Sequence, residues 1–330
     1  MELIEKLINK PVDIDKFRVR NPLIDNFRGI AIIFYMLAQV AISYLEHLPL
    51  WVPHNAGING MWSTNLGFLD LGPVMFYFLI GLTIVMSFNK SLIRNGKSEA
   101  YKQLFYRNLS IIGIDALGGF IISKYMYYAD WGVLRSIGLV GIMMIPFINK
   151  KTYVRAISAV VILLIYQLLR VKIFYYLSGI EGGIAACFGF VTVVLLVTVL
   201  KDLYDKGLLW YSLGLIFIIS GALISYLFVP IVYSEYNSTY LLSVLSLFGL
   251  LFLLLALVDK YVISKPLPVI SWIGQSMIFF LIVAACSRLL IIKIFPPINL
   301  TSYINAFLLV FFVCSAIATF FRAKKIIIKI

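Results

Sequence analysis

Two histidines and one carboxylate in an apolar stretch are the side chains of this sequence best suited to catalysis. His47 and His54 are the only histidines, and both lie in or beside a polar loop, residues 47–67, that contains no Lys or Arg. Imidazole is the only side chain whose ordinary pKa, about 6.5, suits proton transfer near neutral pH. Asp70 follows in the apolar sequence FLDLGP. A carboxylate beside an imidazole is the arrangement that orients a general base.

Asp70 also has a purely structural interpretation. An acidic residue at the start of a helix complements the helix dipole, which is stabilising by about 0.3–1 kcal/mol. Against this, an ionisable residue in a membrane-spanning stretch is costly and indicates function. Gly72-Pro73 beside it would loosen the helix start and leave room for a ligand or a folded-back loop. The residues alone leave both interpretations open.

The elements that position these residues are predicted to be membrane-spanning helices. The chain is 62% hydrophobic and 13% charged, with a mean hydropathy of +0.98, whereas globular proteins are about 45–50% apolar and about 25% charged. Each crossing needs roughly 20 apolar residues, and its backbone must be satisfied internally. We expect an all-α polytopic bundle of about ten transmembrane helices. The expected spans are residues 29–46, 68–88, 108–126, 133–148, 153–169, 182–200, 208–229, 239–258, 267–287 and 303–321.

Basic residues predict the orientation of this bundle. Loops rich in Lys and Arg stay in the cytoplasm, and 22 of the 28 basic residues fall at one end of the spans, together with both termini. We therefore expect a cytoplasmic amphipathic segment at 1–28, a transmembrane bundle at 29–321 and a basic cytoplasmic tail at 322–330. The net charge of +13 follows from this rule and from attraction to anionic membrane lipids. Nucleic acid is not an expected partner.

Four separated stretches carry the pattern of a known family. Arg20 to Met36 is similar to an opening R-x-x-x-x-D-x-F-R-G before an apolar span, and PLWVPH ahead of DLGPVMFYFLIGLTIVMSF is similar to a tryptophan and histidine loop leading to Asp-Leu. DWGVLRSIGLVG resembles a Gly-Val-Leu-Gln-Arg-Ile-Gly-Leu signature, and PIVYSEYNSTYLL with SWIGQSMIFFL resembles the last two signatures. Together they resemble the heparan-alpha-glucosaminide N-acetyltransferase-like membrane acyltransferases and their bacterial relatives.

The resemblance implies an acyl-CoA-dependent transferase that works across the cell membrane. Acetyl-CoA would enter from the cytoplasmic side, and a loop histidine on the far side would help a hydroxyl or amine of a sugar or cell-envelope glycan to take the acyl group. That histidine is His54, which follows PLW and precedes Asp70, whereas His47 lies at the very end of span one.

Five residues are expected to bind the acyl donor: Asp25, Arg28, Gln39, Arg135 and Gln275. Asp25 and Arg28 lie at the inner end of span one, on the same side as a basic loop at residues 90–107. A cationic mouth suits the phosphates of CoA. The other three match the family imperfectly, because Gln39 and Gln275 each stand where it has Asn, and Arg135 is displaced by one position. The loop between His54 and Asp70 is also longer than in the family.

A mechanism follows as a hypothesis. His54 would act as general base on the acceptor, which is worth about 10²–10⁴-fold in rate, and Asp70 would hold the imidazolium. Gln39 or Arg135 would stabilise the oxyanion or position the thioester carbonyl. Direct transfer and transfer through an acyl-histidine both stay open.

Two other functional classes fit the same sequence. In a transporter or flippase for a sugar-like or lipid-linked solute, Asp70, Asp115 and Arg135 would be translocation residues. A non-catalytic family member would bind CoA without turnover. Asp115, in the third span, is expected to pair with a basic neighbour rather than to face a channel.

The remaining motifs indicate little chemistry. The three cysteines, Cys187, Cys286 and Cys314, suggest neither a disulfide framework nor a zinc site, so no metal is expected. Asn237-Ser-Thr and Asn299-Leu-Thr fit a glycosylation acceptor on the outer side. A homodimer is an oligomeric state that the sequence permits.

Overall fold

Helices account for almost all of the residues that the structure describes. It is a computed structural model, and it describes residues 21–41, 44, 48, 67–123, 133–177, 183–231, 236–261, 268–295 and 299–324. The expectations for the N-terminal segment up to residue 20, for His47 and His54, and for residues 325–330 lie outside these ranges. No strand occurs within them, and the all-α class is confirmed.

Within the described ranges the chain forms ten α-helices, which we number in chain order. They are α1 (Pro22–Ala41), α2 (Gly72–Ser123), α3 (Val133–Met143), α4 (Thr152–Leu177), α5 (Gly183–Lys206), α6 (Leu208–Phe228), α7 (Ser238–Tyr261), α8 (Pro268–Gln275), α9 (Met277–Ile294) and α10 (Leu300–Ala323). A short 3-10 turn, Phe68–Leu71, precedes α2. Every expected span overlaps a helix, and seven described stretches are long and apolar enough to cross a membrane. The chain is a multi-pass membrane protein, while ten crossings and cytoplasmic termini stay predictions.

The first helix begins at Pro22 rather than at the expected residue 29. Proline is favoured at the first helical position because its missing N–H would have no helical partner there. The Asn21 side chain accepts a hydrogen bond from the Leu23 N–H at 3.0 Å and so caps the helix. Asp25 and Arg28 therefore lie inside the first two turns of α1.

Helix α2 is a helical hairpin. Gly96 has φ 79° and ψ 172°, a conformation open to glycine and rare for other residues. The arms, residues 72–95 and 97–123, lie side by side, because the Ser91 hydroxyl donates to Gln103 at 2.6 Å and Arg107 donates to the Ser87 hydroxyl at 3.2 Å. These arms correspond to the second and third expected spans.

The expected span 267–287 is broken. Helix α8 ends at Gln275, Ser276 leaves helical geometry with φ −120° and ψ 45°, and α9 starts at Met277. Non-helical backbone at membrane depth is tolerated where it is buried in protein, and Ser276 is buried. The break gives α8 freedom to pack separately from α9.

Aromatic side chains from α1, α2 and α7 form the centre of the bundle. The ring of Phe27 lies 5.2 Å from that of Phe78 and 5.8 Å from that of Phe252, within the range of favourable ring pairs. All three are buried. In contrast, α4 and α6 present apolar side chains outward, with Leu168 80% and Phe228 81% exposed. Such a surface suits contact with lipid chains.

Candidate functional site

Asp25 and Arg28 form an ion pair at the start of α1. The Arg28 guanidinium donates from Nη1 to Asp25 Oδ1 at 3.1 Å. Asp25 is buried, whereas the Arg28 side chain keeps 30% of its surface exposed. A buried carboxylate thus anchors an arginine that still reaches solvent. This geometry holds the guanidinium at the start of α1, with part of its surface exposed.

Helix α8 crosses α1 at this ion pair with almost no space between the backbones. A Cβ on Gly274 would lie 2.1 Å from the Asp25 carbonyl oxygen, and a Cβ on Gly29 would lie 2.0 Å from the Ile270 carbonyl oxygen. Only glycines permit this approach. Gln275 follows Gly274 at the end of α8, so the structure brings three predicted donor-binding residues, Asp25, Arg28 and Gln275, to one crossing.

A second arginine strengthens the positive charge beside Arg28. Arg107, on the second arm of α2, donates to the Ser87 hydroxyl and lies within electrostatic range of Arg28. We call this end of the bundle, with Asp25, Arg28 and Arg107, the arginine end.

Asp70 lies in the 3-10 turn before α2 and is fully buried. Its Oδ2 accepts a hydrogen bond from the Gly67 N–H at 2.7 Å, which closes the turn on itself. Its main-chain oxygen accepts a hydrogen bond from the Tyr240 hydroxyl, which belongs to α7. We call residues 67–71 the Asp70 turn.

Contacts between α1 and α2 fix how deep the Asp70 turn lies relative to Arg28. The helices run antiparallel, because Phe27 contacts Phe78 while Phe34 contacts Phe68, with a ring separation of 4.6 Å in the second pair. From Phe78 to Asp70 the chain rises about 12 Å at 1.5 Å per residue. Ser87, to which Arg107 donates, lies about 26 Å from Asp70 on the same count. The arginine end therefore lies about 12 to 26 Å from the Asp70 turn along the helix axis, which is less than the hydrocarbon thickness of about 30 Å.

Gln39 lies on the Asp70 side of α1. It follows Phe34 by little more than one helical turn and is half-buried. Its amide can both donate and accept. The structure thus separates it from the other predicted donor-binding residues on α1, Asp25 and Arg28, in the direction of Asp70.

Arg135 is paired elsewhere. Its Nε lies 2.7 Å from Asp115 Oδ2, and both side chains are mostly buried. The expectation that Asp115 pairs with a basic neighbour is confirmed. Nearby, a Cβ on Gly141 would lie 2.2 Å from Asn108 Oδ1, so α3 packs tightly on the second arm of α2. Within the described chain, Arg135 contacts Asp115 rather than another predicted site residue.

The start of α7, with the two residues before it, supports the Asp70 turn. It was not expected to be part of the site. Asn237 accepts a hydrogen bond from the Tyr240 N–H at 2.9 Å and donates to the Pro230 oxygen at 2.6 Å. Tyr166, on α4, donates to the Tyr236 oxygen at 3.2 Å. We call residues 236–240 the supporting turn. The sequence marked it only as a family signature.

Asn237 cannot serve as a glycosylation acceptor, and the interpretation of Asn237-Ser-Thr as such a site is wrong. Its side chain is fully buried, its Oδ1 accepts from the Tyr240 N–H and its Nδ2 donates to the Pro230 oxygen. Asn299 instead caps α10, accepting from the Ser302 N–H at 2.9 Å.

Other features of the described residues do not join this site. Within these residues no group of three or more His, Cys, Asp or Glu side chains could hold a metal ion. A groove of about 350 Å³ between α6 and α7, lined by residues such as Ala222, Tyr226 and Ser246, is apolar and contains no predicted site residue.

The fold and these clusters define a class: an all-α multi-pass membrane protein with charged groups at two depths of one helical bundle. The family model for the catalytic region of heparan-alpha-glucosaminide N-acetyltransferase matches residues 20–191. The chain therefore belongs to this family of membrane acetyltransferases. The match includes the Asp70 turn, Arg28 and Arg107, and ends within α5. No curated protein matches the chain.

Proposed function

We propose that this protein moves an acetyl group from cytoplasmic acetyl-CoA to a hydroxyl or amine of a sugar or cell-envelope glycan on the outer side of the cytoplasmic membrane. The observation that carries the proposal is that Arg28, at the arginine end, and the Asp70 turn lie about 12 Å apart along one antiparallel helix pair. An acyl donor held at the first can present its thioester toward the second without crossing the whole bilayer.

The arginine end supports binding of the donor. CoA carries phosphate groups, and arginine recognises phosphate through charge-assisted hydrogen bonds. Arg107 lies within electrostatic range of Arg28, so it would bring a second cation to the same phosphate. Asp25 pairs with the Arg28 side chain, and Gln275 would join them because it directly follows Gly274, which packs on α1 at Asp25 and Arg28.

The Asp70 turn supports the chemical step. His54 would take the proton from the acceptor oxygen or nitrogen as that atom forms a bond to the acyl carbon. The bond from this carbon to the CoA sulfur then breaks, and the proton is returned to the thiolate. Asp70 would hold the imidazolium in place, while Gln39, on the same side, would donate to the developing oxyanion. Arg135 acts more remotely, because its partner is Asp115.

The proposal is tested with purified protein in detergent, acetyl-CoA as donor and glucosamine as probe acceptor, measuring CoA release and acetylated sugar. We expect His54→Ala and Asp70→Asn to lower the rate by at least about 10²-fold. His47→Ala is the matched control from the same loop and should leave the rate near that of the unaltered protein. Undiminished transfer by His54→Ala would remove this mechanism. Solute transport without CoA release would identify a carrier instead.

A further inference from the structure

The Asp70 turn holds its own carboxylate through an internal hydrogen bond, which does not join the turn to a neighbouring helix. Its 3-10 part, Phe68–Leu71, has four residues, and this geometry is used in short pieces because its hydrogen bonds are poorly aligned. The internal bond from the Gly67 N–H to Asp70 Oδ2 closes the turn, but it does not tie the turn to the rest of the bundle. The bond from the Tyr240 hydroxyl to the main-chain oxygen of Asp70 does so.

Tyr240 is itself held firmly. Its N–H is capped by Asn237, and its ring packs edge-on against Tyr236 at a centroid distance of 5.5 Å. Tyr240 is fully buried, so its hydroxyl has no competing contact with bulk water. The hydroxyl therefore approaches the Asp70 turn from a fixed position.

Backbone strain marks the supporting turn as a specified structure. Tyr236 has φ 46°, a left-handed conformation that is uncommon for residues other than glycine and costs free energy. The hydrogen bond from Tyr166 to its carbonyl and the packing of its ring on Phe190, at 5.1 Å, offset this cost. Strain that the surroundings maintain is typical of functional positions.

We propose that Tyr240 is a positioning residue for Asp70: its hydroxyl anchors the Asp70 turn to α7 and so sets the direction in which the carboxylate meets the catalytic imidazole. This inference rests on the proposed function. Tyr240 lies beyond the residues that the family model matches. The C-terminal half of the chain would thus help to position a catalytic group. A displacement of about 1 Å at a reacting group can cost up to about 10²-fold in rate.

The test compares Tyr240→Phe with Tyr211→Phe. Tyr211 is an ideal control because it is also fully buried and its hydroxyl donates to a main-chain oxygen of another helix, that of Gly249, at 2.9 Å. Both variants lose one hydroxyl and one such hydrogen bond. We expect Tyr240→Phe to lower kcat by about 10- to 100-fold with the KM for acetyl-CoA changed less than about twofold. Tyr211→Phe should keep kcat while showing a similar loss of thermal stability.

A second pair of measurements keeps the outcome clear. The pH dependence of kcat should shift in Tyr240→Phe and not in Tyr211→Phe, because only the first changes the contact between carboxylate and imidazole. If Tyr240→Phe does not fold, Asn237→Ala replaces it in the test. This variant removes the cap of the Tyr240 N–H but keeps the Tyr240 ring, and it should also lower kcat. Wild-type kcat in Tyr240→Phe, or equal losses in both tyrosine variants, would overturn the inference. An unaltered rate in Asp70→Asn would instead overturn the proposed function.

Discussion

Replacing Gly274 by Ala tests the crossing that assembles the arginine end. The new Cβ would lie 2.1 Å from the Asp25 carbonyl oxygen and 2.7 Å from the Gly29 nitrogen. Both are backbone atoms, which cannot rotate away as a flexible side chain could. Helices α1 and α8 would have to separate by about 1.3 Å to restore an ordinary contact of 3.4 Å.

The expected cost follows from that displacement. Overpacking a well-packed site typically destabilises by about 1–3 kcal/mol, and we expect the upper part of this range because the opposing atoms belong to the backbone. The separation also moves Gln275 away from Arg28. If Gly274→Ala folds, its KM for acetyl-CoA should therefore be higher than that of the unaltered protein.

Gly113→Ala is the matched control. Gly113 lies inside the second arm of α2, and a Cβ there meets nothing within 4 Å. Removing a glycine from a helix interior should stabilise by about 0.5–1 kcal/mol. The two substitutions are chemically identical, and the structure predicts opposite signs.

The assay is thermal unfolding in detergent, followed with a thiol-reactive fluorescent probe. Cys187 and Cys314 are free and buried, so they react only as the protein opens. We expect Gly274→Ala to melt several degrees below the unaltered protein and Gly113→Ala at or above it. Should Gly274→Ala melt as high as Gly113→Ala, α8 does not approach α1 as described, and the reasoning for a shared donor site is wrong.

Three further predictions concern charge. Arg107→Gln should raise the KM for acetyl-CoA about tenfold with kcat nearly unchanged, because one charged contact to phosphate is lost. Lys150→Gln, at an exposed lysine, is the control. Equal effects of the two substitutions on KM would contradict a specific role for Arg107. Raising salt should increase the KM of the unaltered protein more than that of Arg107→Gln, and parallel curves would count against a phosphate contact. Asp115→Asn should destabilise the protein by about 3–5 kcal/mol, because it leaves Arg135 mostly buried and unpaired. Adding Arg135→Gln should recover part of that stability, measured by thermal unfolding. If the losses of the two single variants simply add in the double variant, the pairing is contradicted.

The fold class and the helices could be predicted because hydropathy reports directly on burial in a bilayer. The family could be predicted because its motifs combine residue types with fixed spacing, as in the stretch around Asp25 and Arg28. The break at Ser276 could not, since residues 267–287 contain neither a charge nor an internal proline after the first turn, and an apolar window looks the same whether its helix is continuous or broken.

Contacts between distant residues were the harder part of the site. The bond between Tyr240 and Asp70 joins residues far apart in the chain through a hydroxyl and a main-chain oxygen, and neither periodicity nor composition records such a bond. Asn237 is a second example, because a glycosylation pattern in the sequence carries no information on whether the asparagine side chain is buried. The prediction that His54 meets Asp70 stays a prediction.

Transfer across a sealed membrane tests the central claim most directly. Proteoliposomes containing the unaltered protein would receive labelled acetyl-CoA outside only, with glucosamine trapped inside, and the label on the trapped sugar would be measured over time. The account predicts that acetylglucosamine accumulates inside while CoA stays outside, and that Asp70→Asn abolishes the signal. Labelled sugar formed only when donor and acceptor share one side would contradict a reaction that joins the arginine end to the Asp70 turn.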